Sequence, residues 1–245
     1  MMKIAGIHSV EKALEKNLEI EKIFVLNKPS QSLNRIIYQA NQKSIPVSFV
    51  PAPKLSSLYK GAHQGVVAIV SPIRFIDIDE MITRAFQGSE YPYFIMLDGI
   101  TDTRNLGAIF RSAVAFNASG IILPAHHSAS ITEETVKTSA GGVFEIPVAR
   151  VNHLADAIYL LKSYDVEIIA ATEKAPKNLE TYHFNKPVAF LMGNENKGIS
   201  PSLLKRADTL LKININPKID SLNVSVAAAI FCYEYHRQKW RDLEK

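Results

Sequence analysis

The sequence predicts an α/β protein whose C-terminal part forms a mostly parallel sheet with helices on both faces, preceded by a small N-terminal α/β domain. From residue 93 onward, short apolar segments alternate regularly with segments of helical length, which is typical of a parallel sheet covered on both faces. Residues 71–92 instead bring prolines and charges. This shift in composition predicts a domain over 1–70, a linker over 71–92 and a second domain over 93–245.

The N-terminal domain reads as a small alternating unit. Ser9 is a candidate N-cap for a helix that starts at Val10. The segment "VPAPKL" from Val50 to Leu55 contains two prolines and is predicted to be a loop. Short runs rich in β-branched residues predict the strands. The expected helices are 10–18 and 33–42, and the expected strands are 22–26, 45–50 and 65–70.

The second domain continues with six strands and five helices. The predicted strands are 93–98, 120–123, 145–149, 166–172, 188–193 and 209–215, and the predicted helices are 105–116, 132–139, 153–164, 200–206 and 221–238. Ligands of such sheets bind outside the carboxyl ends of the strands. This rule selects the loops 98–105, 193–200 and 215–222 as the candidate site.

The composition limits the class of protein. A hydrophobic fraction of 47% and a charged fraction of 21% are those of an ordinary globular chain. The single cysteine, Cys232, excludes a disulfide framework and suits a reducing compartment, so a cytoplasmic location is expected. No signal-peptide pattern and no apolar run of membrane-spanning length is present. The net charge of +4 permits a polyanionic partner without demonstrating one.

The first loop, "DGITDTRNLG", runs into a helix that carries an arginine among apolar residues. Asn105 is a candidate helix cap, and Gly107 predicts a close approach to the backbone in the first turn. Arg111 is expected to be half-buried and therefore to need an anionic partner. One interpretation pairs Arg111 structurally with Asp98 or Asp102, and the other places it in an active site.

The other two loops are also unusual. In "FLMGNENKGIS", Gly193 and Gly198 would let the backbone approach a ligand, and Ser200 with Pro201 would start a helix. The spacing fits neither a phosphate-binding P-loop nor a dinucleotide fingerprint. In "SLNVSVAAAIFCYE", polar and apolar residues alternate before a helix whose aromatic residues predict either core or a dimer face. Those aromatic residues are Phe231, Tyr233 and Tyr235.

Together with "RNLGAIFRSAVAFNASGIIL", these segments resemble the three motifs of the SpoU (TrmH-like) family of RNA ribose 2'-O-methyltransferases, in the SPOUT superfamily. The resemblance covers residues 93–238, with the motifs in order. The N-terminal "GIHSVEKALE" and "HQGVVAIV" are similar to the ribosomal-protein-like substrate-binding domain of the branch that methylates large-subunit ribosomal RNA.

The resemblance implies an enzyme that uses S-adenosylmethionine to methylate a ribose 2'-hydroxyl in structured RNA, expected to be a guanosine of 23S ribosomal RNA. It also implies a C-terminal trefoil knot and no metal. It further implies a homodimer that forms through the C-terminal helix, and each active site of this dimer receives residues from both subunits. The implied catalytic residues are Asn105, Arg111, Glu195, Ser221 and Asn223. The implied cofactor-binding residues are Thr172, Met192, Gly193, Ile213 and Leu222.

Two departures from the family pattern stand out. Thr103 occupies a position where proline is common, and the usual Ile-Pro-Met-x-Gly appears as residues 213–217, ending in Pro217. We expect Pro217 to reshape the loop around the methionine portion of the cofactor. Two alternatives stay open, namely transfer RNA as the substrate, and a non-catalytic RNA-binding or ribosome-assembly factor that has kept the fold.

Overall fold

The computed structural model describes residues 3–194 and 197–243, which form two compact units. The first unit runs to Arg74 and includes Ser130–Glu133, and the second comprises Phe75–Ala129 and the chain from Glu134 onward. The segment 71–92 contains a helix, α4 (Ile78–Gly88), whose Met81 and Ile82 are buried in the core of the second unit.

A four-stranded sheet in the order β1-β4-β2-β3 forms the first unit. Only the β2 and β3 pair is parallel. Its elements are β1 (Lys3–Ala5), α1 (Ile7–Glu15), β2 (Ile20–Leu26), α2 (Gln31–Gln42), β3 (Val47–Val50), α3 (Ala52–Leu58) and β4 (Val66–Val70). The apolar faces of α1 and α2 pack on this sheet, with Val10, Ile23 and Ile36 fully buried.

Two local predictions in this unit were wrong. Helix α1 begins at Ile7, after Gly6 with a positive φ of 90°, and the Ile7 N–H donates to Gln64 Oε1 at 3.0 Å, so Ser9 is not the N-cap. The proline-containing segment forms α3 instead of a loop. Pro51 and Pro53 lie at its start, where the first N–H groups of a helix have no intrahelical partner and proline is tolerated.

The second unit contains a seven-stranded sheet in the order β7-β6-β5-β10-β8-β11-β9, with every adjacent pair parallel. This confirms the predicted α/β class. The strands are β5 (Tyr93–Asp98), β6 (Gly120–Pro124), β7 (Val148–Val151), β8 (Glu167–Ala171), β9 (Lys177–Asn178), β10 (Val188–Gly193) and β11 (Thr209–Lys212). The remaining helices are α5 (Thr103–Ala115), α6 (Glu133–Thr138), α7 (Leu154–Ser163), α8 (Pro201–Leu204) and α9 (Val224–Leu243).

Helices cover both faces of this sheet. On one face, α4, α7 and α8 pack against alternate strand residues such as Phe94 and Leu191. On the other face, α9 places Phe231 and Tyr235 against Phe190 and Tyr93, with ring centroids 4.7–5.3 Å apart in the Tyr93–Tyr235 and Phe190–Phe231 pairs. In the described part of the chain, no helix combines the length and apolar character needed to cross a membrane.

Candidate active site

The three predicted loops open at the same edge of the seven-stranded sheet. Strands β5 and β10 are neighbours, and their register places Gly193 opposite Asp98. Strand β8 lies on the other side of β10, and β11 pairs with β8. Because the strands are parallel, the loops that follow them meet at one edge.

A cavity of ≈ 400 Å³ lies at this edge, between the ends of β8, β10 and β11 and the start of α9. Its lining includes all five residues predicted to hold the cofactor and one residue predicted to be catalytic. These six are Thr172, Met192, Gly193, Ile213, Leu222 and Ser221. Thus residues from three distant parts of the sequence form one concave site, as the strand-end rule predicts.

The turn after β10 is closed by its own backbone. Asn194 and Gly198 exchange backbone hydrogen bonds at 3.1 and 2.8 Å, and the Asn194 side-chain amide donates to the Gly99 carbonyl at 2.8 Å. A Cβ on Gly193 would lie 2.3 Å from the backbone carbon of Gly198, so only glycine fits there. The prediction of a close approach at Gly193 is therefore explained by the turn itself.

Asp102 caps the start of α5. Its carboxylate accepts from the N–H groups of Arg104 (2.9 Å) and Asn105 (2.8 Å). The interpretation of Asn105 as a cap was wrong, because the helix begins at Thr103 and Asn105 already lies inside its first turn. The Asn105 side chain instead accepts a hydrogen bond from Nδ2 of Asn223 at 3.0 Å.

Asn223 joins the third motif to the first. Asn223 directly precedes α9, and Ser225 lies in the first turn of that helix. The Oδ1 of Asn223 accepts hydrogen bonds from the N–H and the hydroxyl of Ser225, at 2.8 and 2.6 Å. Helix α9 starts at Val224, three residues later than predicted. Ser221 and Leu222 are therefore in the loop and reach the cavity, whereas Asn223 faces Asn105.

Arg111 is exposed, so the expectation that it is half-buried was wrong. In α5 the residues Ile109, Phe110 and Ala113 face the core, and Arg111 lies on the opposite side of the helix. It makes no hydrogen bond or ion pair with residues 3–194 or 197–243. Asp98 instead accepts from the N–H of Ser200 and Asp102 from the N–H groups at the start of α5, so the interpretation that pairs Arg111 structurally with Asp98 or Asp102 was wrong.

The predicted catalytic residues are thus brought together only in part. Ser221 lines the cavity. Asn105 is hydrogen-bonded to Asn223, and Asn105, Asn223 and Arg111 are not among the lining residues. Glu195 lies outside the described residues. Charged side chains that the sequence analysis did not select also line the cavity, namely Glu173, Lys174, Lys197, Lys212 and Asp220.

Glu134 of α6 is a further residue that the sequence did not reveal. Its carboxylate accepts from Arg104 Nε at 2.6 Å and from Thr103 Oγ1 at 3.1 Å. The hydrogen bond from Arg104 lowers the pKa of Glu134. Helix α6 also lies against Gly107, where a Cβ would be 2.7 Å from Thr138 Cβ. The close approach predicted at Gly107 is therefore confirmed, and its partner is a helix.

Pro217 lies in a turn beside the cavity without lining it. The N–H of Ile219 donates to the Asn216 carbonyl, and the N–H of Lys218 donates to Asn216 Oδ1, both at 3.0 Å. Proline suits this second turn position because its φ is already fixed near the required value. Ile213 and Ile215, which precede the turn, do line the cavity.

Comparison with known proteins agrees with this geometry. The profile of the SpoU rRNA Methylase family matches residues 92–233. The chain belongs to this family. A second profile, described as RNA 2'-O ribose methyltransferase substrate binding, matches residues 3–76. The predicted family and the enzyme class, an RNA methyltransferase, are thereby confirmed.

Individual SpoU relatives are similar along almost the whole chain. YacO of Bacillus subtilis (strain 168), named as a TrmH family tRNA/rRNA methyltransferase, is 31% identical over 237 residues, which are 96% of this chain and 95% of that protein. A tRNA/rRNA methyltransferase of Archaeoglobus fulgidus is 34% identical over 239 residues (98% and 100%). The AdoMet-bound rRNA methyltransferase of Sinorhizobium meliloti superposes with a TM-score of 0.61 at 28% identity, covering 96% and 86% of the two chains.

Proposed function

We propose that this SpoU protein transfers a methyl group from S-adenosylmethionine to a ribose 2'-hydroxyl in structured RNA. The observation that carries the proposal is the single cavity lined by all five predicted cofactor residues, beside the Asn105–Asn223 pair. The description of the family that matches residues 3–76 supports ribose 2'-O chemistry. The AdoMet-bound Sinorhizobium meliloti enzyme supports the choice of methyl donor.

The cavity fits this cofactor in size and character. Its ≈ 400 Å³ falls in the range of small-molecule sites, roughly 300 to 1,000 Å³. Met192, Ile213 and Leu222 would supply an apolar surface for the planar base of the cofactor. When bound, S-adenosylmethionine supplies an electrophilic methyl group on a sulfonium. Thr172, Met192, Gly193, Ile213 and Leu222 are the residues that would hold it.

Arg111 acts by charge and orientation. Its guanidinium stays protonated at neutral pH, so it does not serve as a base. It can stabilise negative charge that develops on the ribose oxygen and can bind the neighbouring phosphate through two N–H groups. No carboxylate among the described residues forms an ion pair with Arg111, so we propose that its guanidinium binds RNA.

A homodimer through α9 would complete the site. Val226 and Tyr233 are 47% and 52% exposed, and with Ile230 they follow one face of α9 at spacings of four and three residues. The Phe116 ring, after α5, extends this face by contacting Tyr233 at 5.6 Å between centroids. A second copy packed here would bring its own α5, with Arg111, toward the site. Such a dimer would account for the position of Arg111 outside the cavity of its own chain.

The proposed substrate, location and knot are those that the resemblance to the same family implies. Ribosomal RNA, with a guanosine of 23S RNA as the target, is the proposed substrate, and transfer RNA is the alternative. We place the protein in the cytoplasm, and we propose that the segment from Ile213 into α9 forms the trefoil knot of SPOUT enzymes. Glu195, in the second motif, keeps its proposed catalytic role.

The test combines binding and transfer. Purified protein is titrated calorimetrically with S-adenosylmethionine, and methyl transfer from a radiolabelled donor to 23S RNA and transfer RNA transcripts is measured. Methylated nucleotides are located by their resistance to alkaline cleavage, which requires a free 2'-hydroxyl. Incorporation into 23S RNA alone supports the proposal, and incorporation into transfer RNA alone supports the alternative substrate. RNA binding without cofactor binding or transfer would establish the non-catalytic factor instead.

A further inference from the structure

The side chain of Arg104, at the start of α5, is held at one nitrogen and open at the other two. Its Nε donates to Glu134 at 2.6 Å, and the side chain is 76% exposed. The two terminal nitrogens make no hydrogen bond to the residues that the structure describes. A guanidinium fixed through Nε presents its terminal N–H groups as a fork, which is the geometry that binds a phosphate through two hydrogen bonds.

The carboxylate that holds Arg104 is itself held from both sides. One oxygen of Glu134 accepts from Arg104, and the other accepts from the hydroxyl of Thr103 at 3.1 Å. Thr103 stands where proline is common in this family, and proline could not make this contact. The hydroxyl thus orients Glu134, and Glu134 orients the guanidinium.

Arg104 and Arg111 lie on the same side of α5. They are seven residues apart, which is close to two full helical turns and separates their Cα atoms by about 10.5 Å along the axis. Both are exposed, and the residues between them on this side are Gly107, which α6 covers, and the half-buried Ala108. The helix therefore presents two exposed arginines on one side, two turns apart, with Asn105 next to the first of them.

A purely structural role explains this arrangement less well. An exposed arginine–carboxylate pair contributes little to stability, because water screens the two charges and both side chains lose freedom. The chain contains such a pair elsewhere, between Arg84 and Glu80 of α4, where the arginine is 63% exposed. That pair lies within one helix and has no neighbouring arginine at a two-turn spacing, so it provides a matched control.

We infer that Arg104 is a second contact to the RNA phosphate backbone, adjacent to the Arg111 contact, and that Glu134 is its positioning residue. This inference rests on the proposed function, since it assumes that RNA lies along α5 at the site. The chemistry is electrostatic, independent of base identity, and reversible. It predicts an additional phosphate neutralised by this chain when RNA binds.

Binding of a 23S RNA transcript, measured over a series of salt concentrations without methyl donor, tests the inference directly. Arg104→Ala should weaken binding about tenfold at low salt and reduce the slope of log K against log salt by about 1. Arg104→Lys keeps the charge and should keep the slope while losing part of the affinity. Arg84→Ala should match the wild type. An Arg104→Ala variant with the wild-type slope and affinity would overturn the inference.

Glu134→Ala separates positioning from simple charge. If Glu134 only repels RNA, removing it should tighten binding, and the positioning role would be wrong. If it orients Arg104, binding should weaken about threefold to fivefold, with cofactor affinity unchanged. Methyl transfer by the wild type is measured in parallel, so that a failure of the proposed function can be distinguished from a failure of the Arg104 inference. Its absence counts against the proposed function, whereas normal transfer with an unaltered Arg104→Ala variant counts against this inference alone.

Discussion

Asn223 donates a hydrogen bond from Nδ2 to Oδ1 of Asn105 at 3.0 Å, across 118 residues of sequence. The contact ties the loop before α9 to the first turn of α5, beside the cavity that Ser221 lines. Asn223 uses its other polar atom to bind Ser225 at the start of α9. One side chain therefore both begins a helix and fixes a candidate catalytic residue, and the two roles can be separated by substitution.

We expect Asn223→Asp to separate them. The carboxylate can still accept from Ser225, so thermal stability should stay within about 1 kcal/mol of the wild type, whereas the donor to Asn105 is lost. Methyl transfer should fall about tenfold or more. Asn223→Ala removes both contacts and should lose activity together with about 1 kcal/mol of stability. Equal activity of Asn223→Asp and the wild type would contradict the positioning role.

Arg111→Lys should lower the turnover number by about 100-fold, because lysine keeps the charge but cannot bind an oxyanion or phosphate through a planar fork. The melting temperature and the affinity for S-adenosylmethionine should be unchanged, since Arg111 is exposed and does not line the cavity. Single-turnover kinetics with saturating RNA measure the effect. Near-wild-type turnover would show that charge alone is sufficient.

Gly193→Ala should abolish cofactor binding or weaken it at least tenfold, because the new Cβ would lie 2.3 Å from the backbone of Gly198 and force the turn open. Gly88, in the last turn of α4, is the matched control, because a Cβ added there would have no neighbouring atom within 4 Å. Gly88→Ala should be neutral or stabilise the protein by about 0.4 to 1 kcal/mol. Calorimetric titration and thermal unfolding of both variants check the pair.

Cys232 should be inert in the folded protein. Burial raises the pKa of its thiol from 9.0 to about 12, so almost no thiolate exists at pH 8. An alkylating reagent should react only after unfolding in guanidinium. The folded state keeps a proton that the unfolded state loses above pH 9, so stability from this group should fall as the pH rises from about 9 toward 12. Rapid alkylation of the native protein at pH 8 would contradict this account.

Much of the fold could be predicted because the signals are local. The period of apolar residues indicated the strands of the second unit. Glycine within a helix or strand costs stability, so Gly107 and Gly193 indicated places where another part of the chain comes close. The wrong local predictions concern residues that are compatible with two kinds of structure, which the sequence pattern does not distinguish. Two prolines in "VPAPKL" suggested a loop, but at the first turn of α3 they are compatible with a helix.

The sequence by itself determined the alternation of strands and helices, the family, and six of the residues that line the cavity. Only the tertiary structure decided that Arg111 faces solvent, that Asp102 rather than Asn105 caps α5, and that Glu134 holds Arg104. The physical reason is that a side-chain hydrogen bond depends on distance and direction to within a few tenths of an ångström. Those distances are set by how β5, β10 and α6 pack together, and residues far apart in the chain carry no local pattern that reports them.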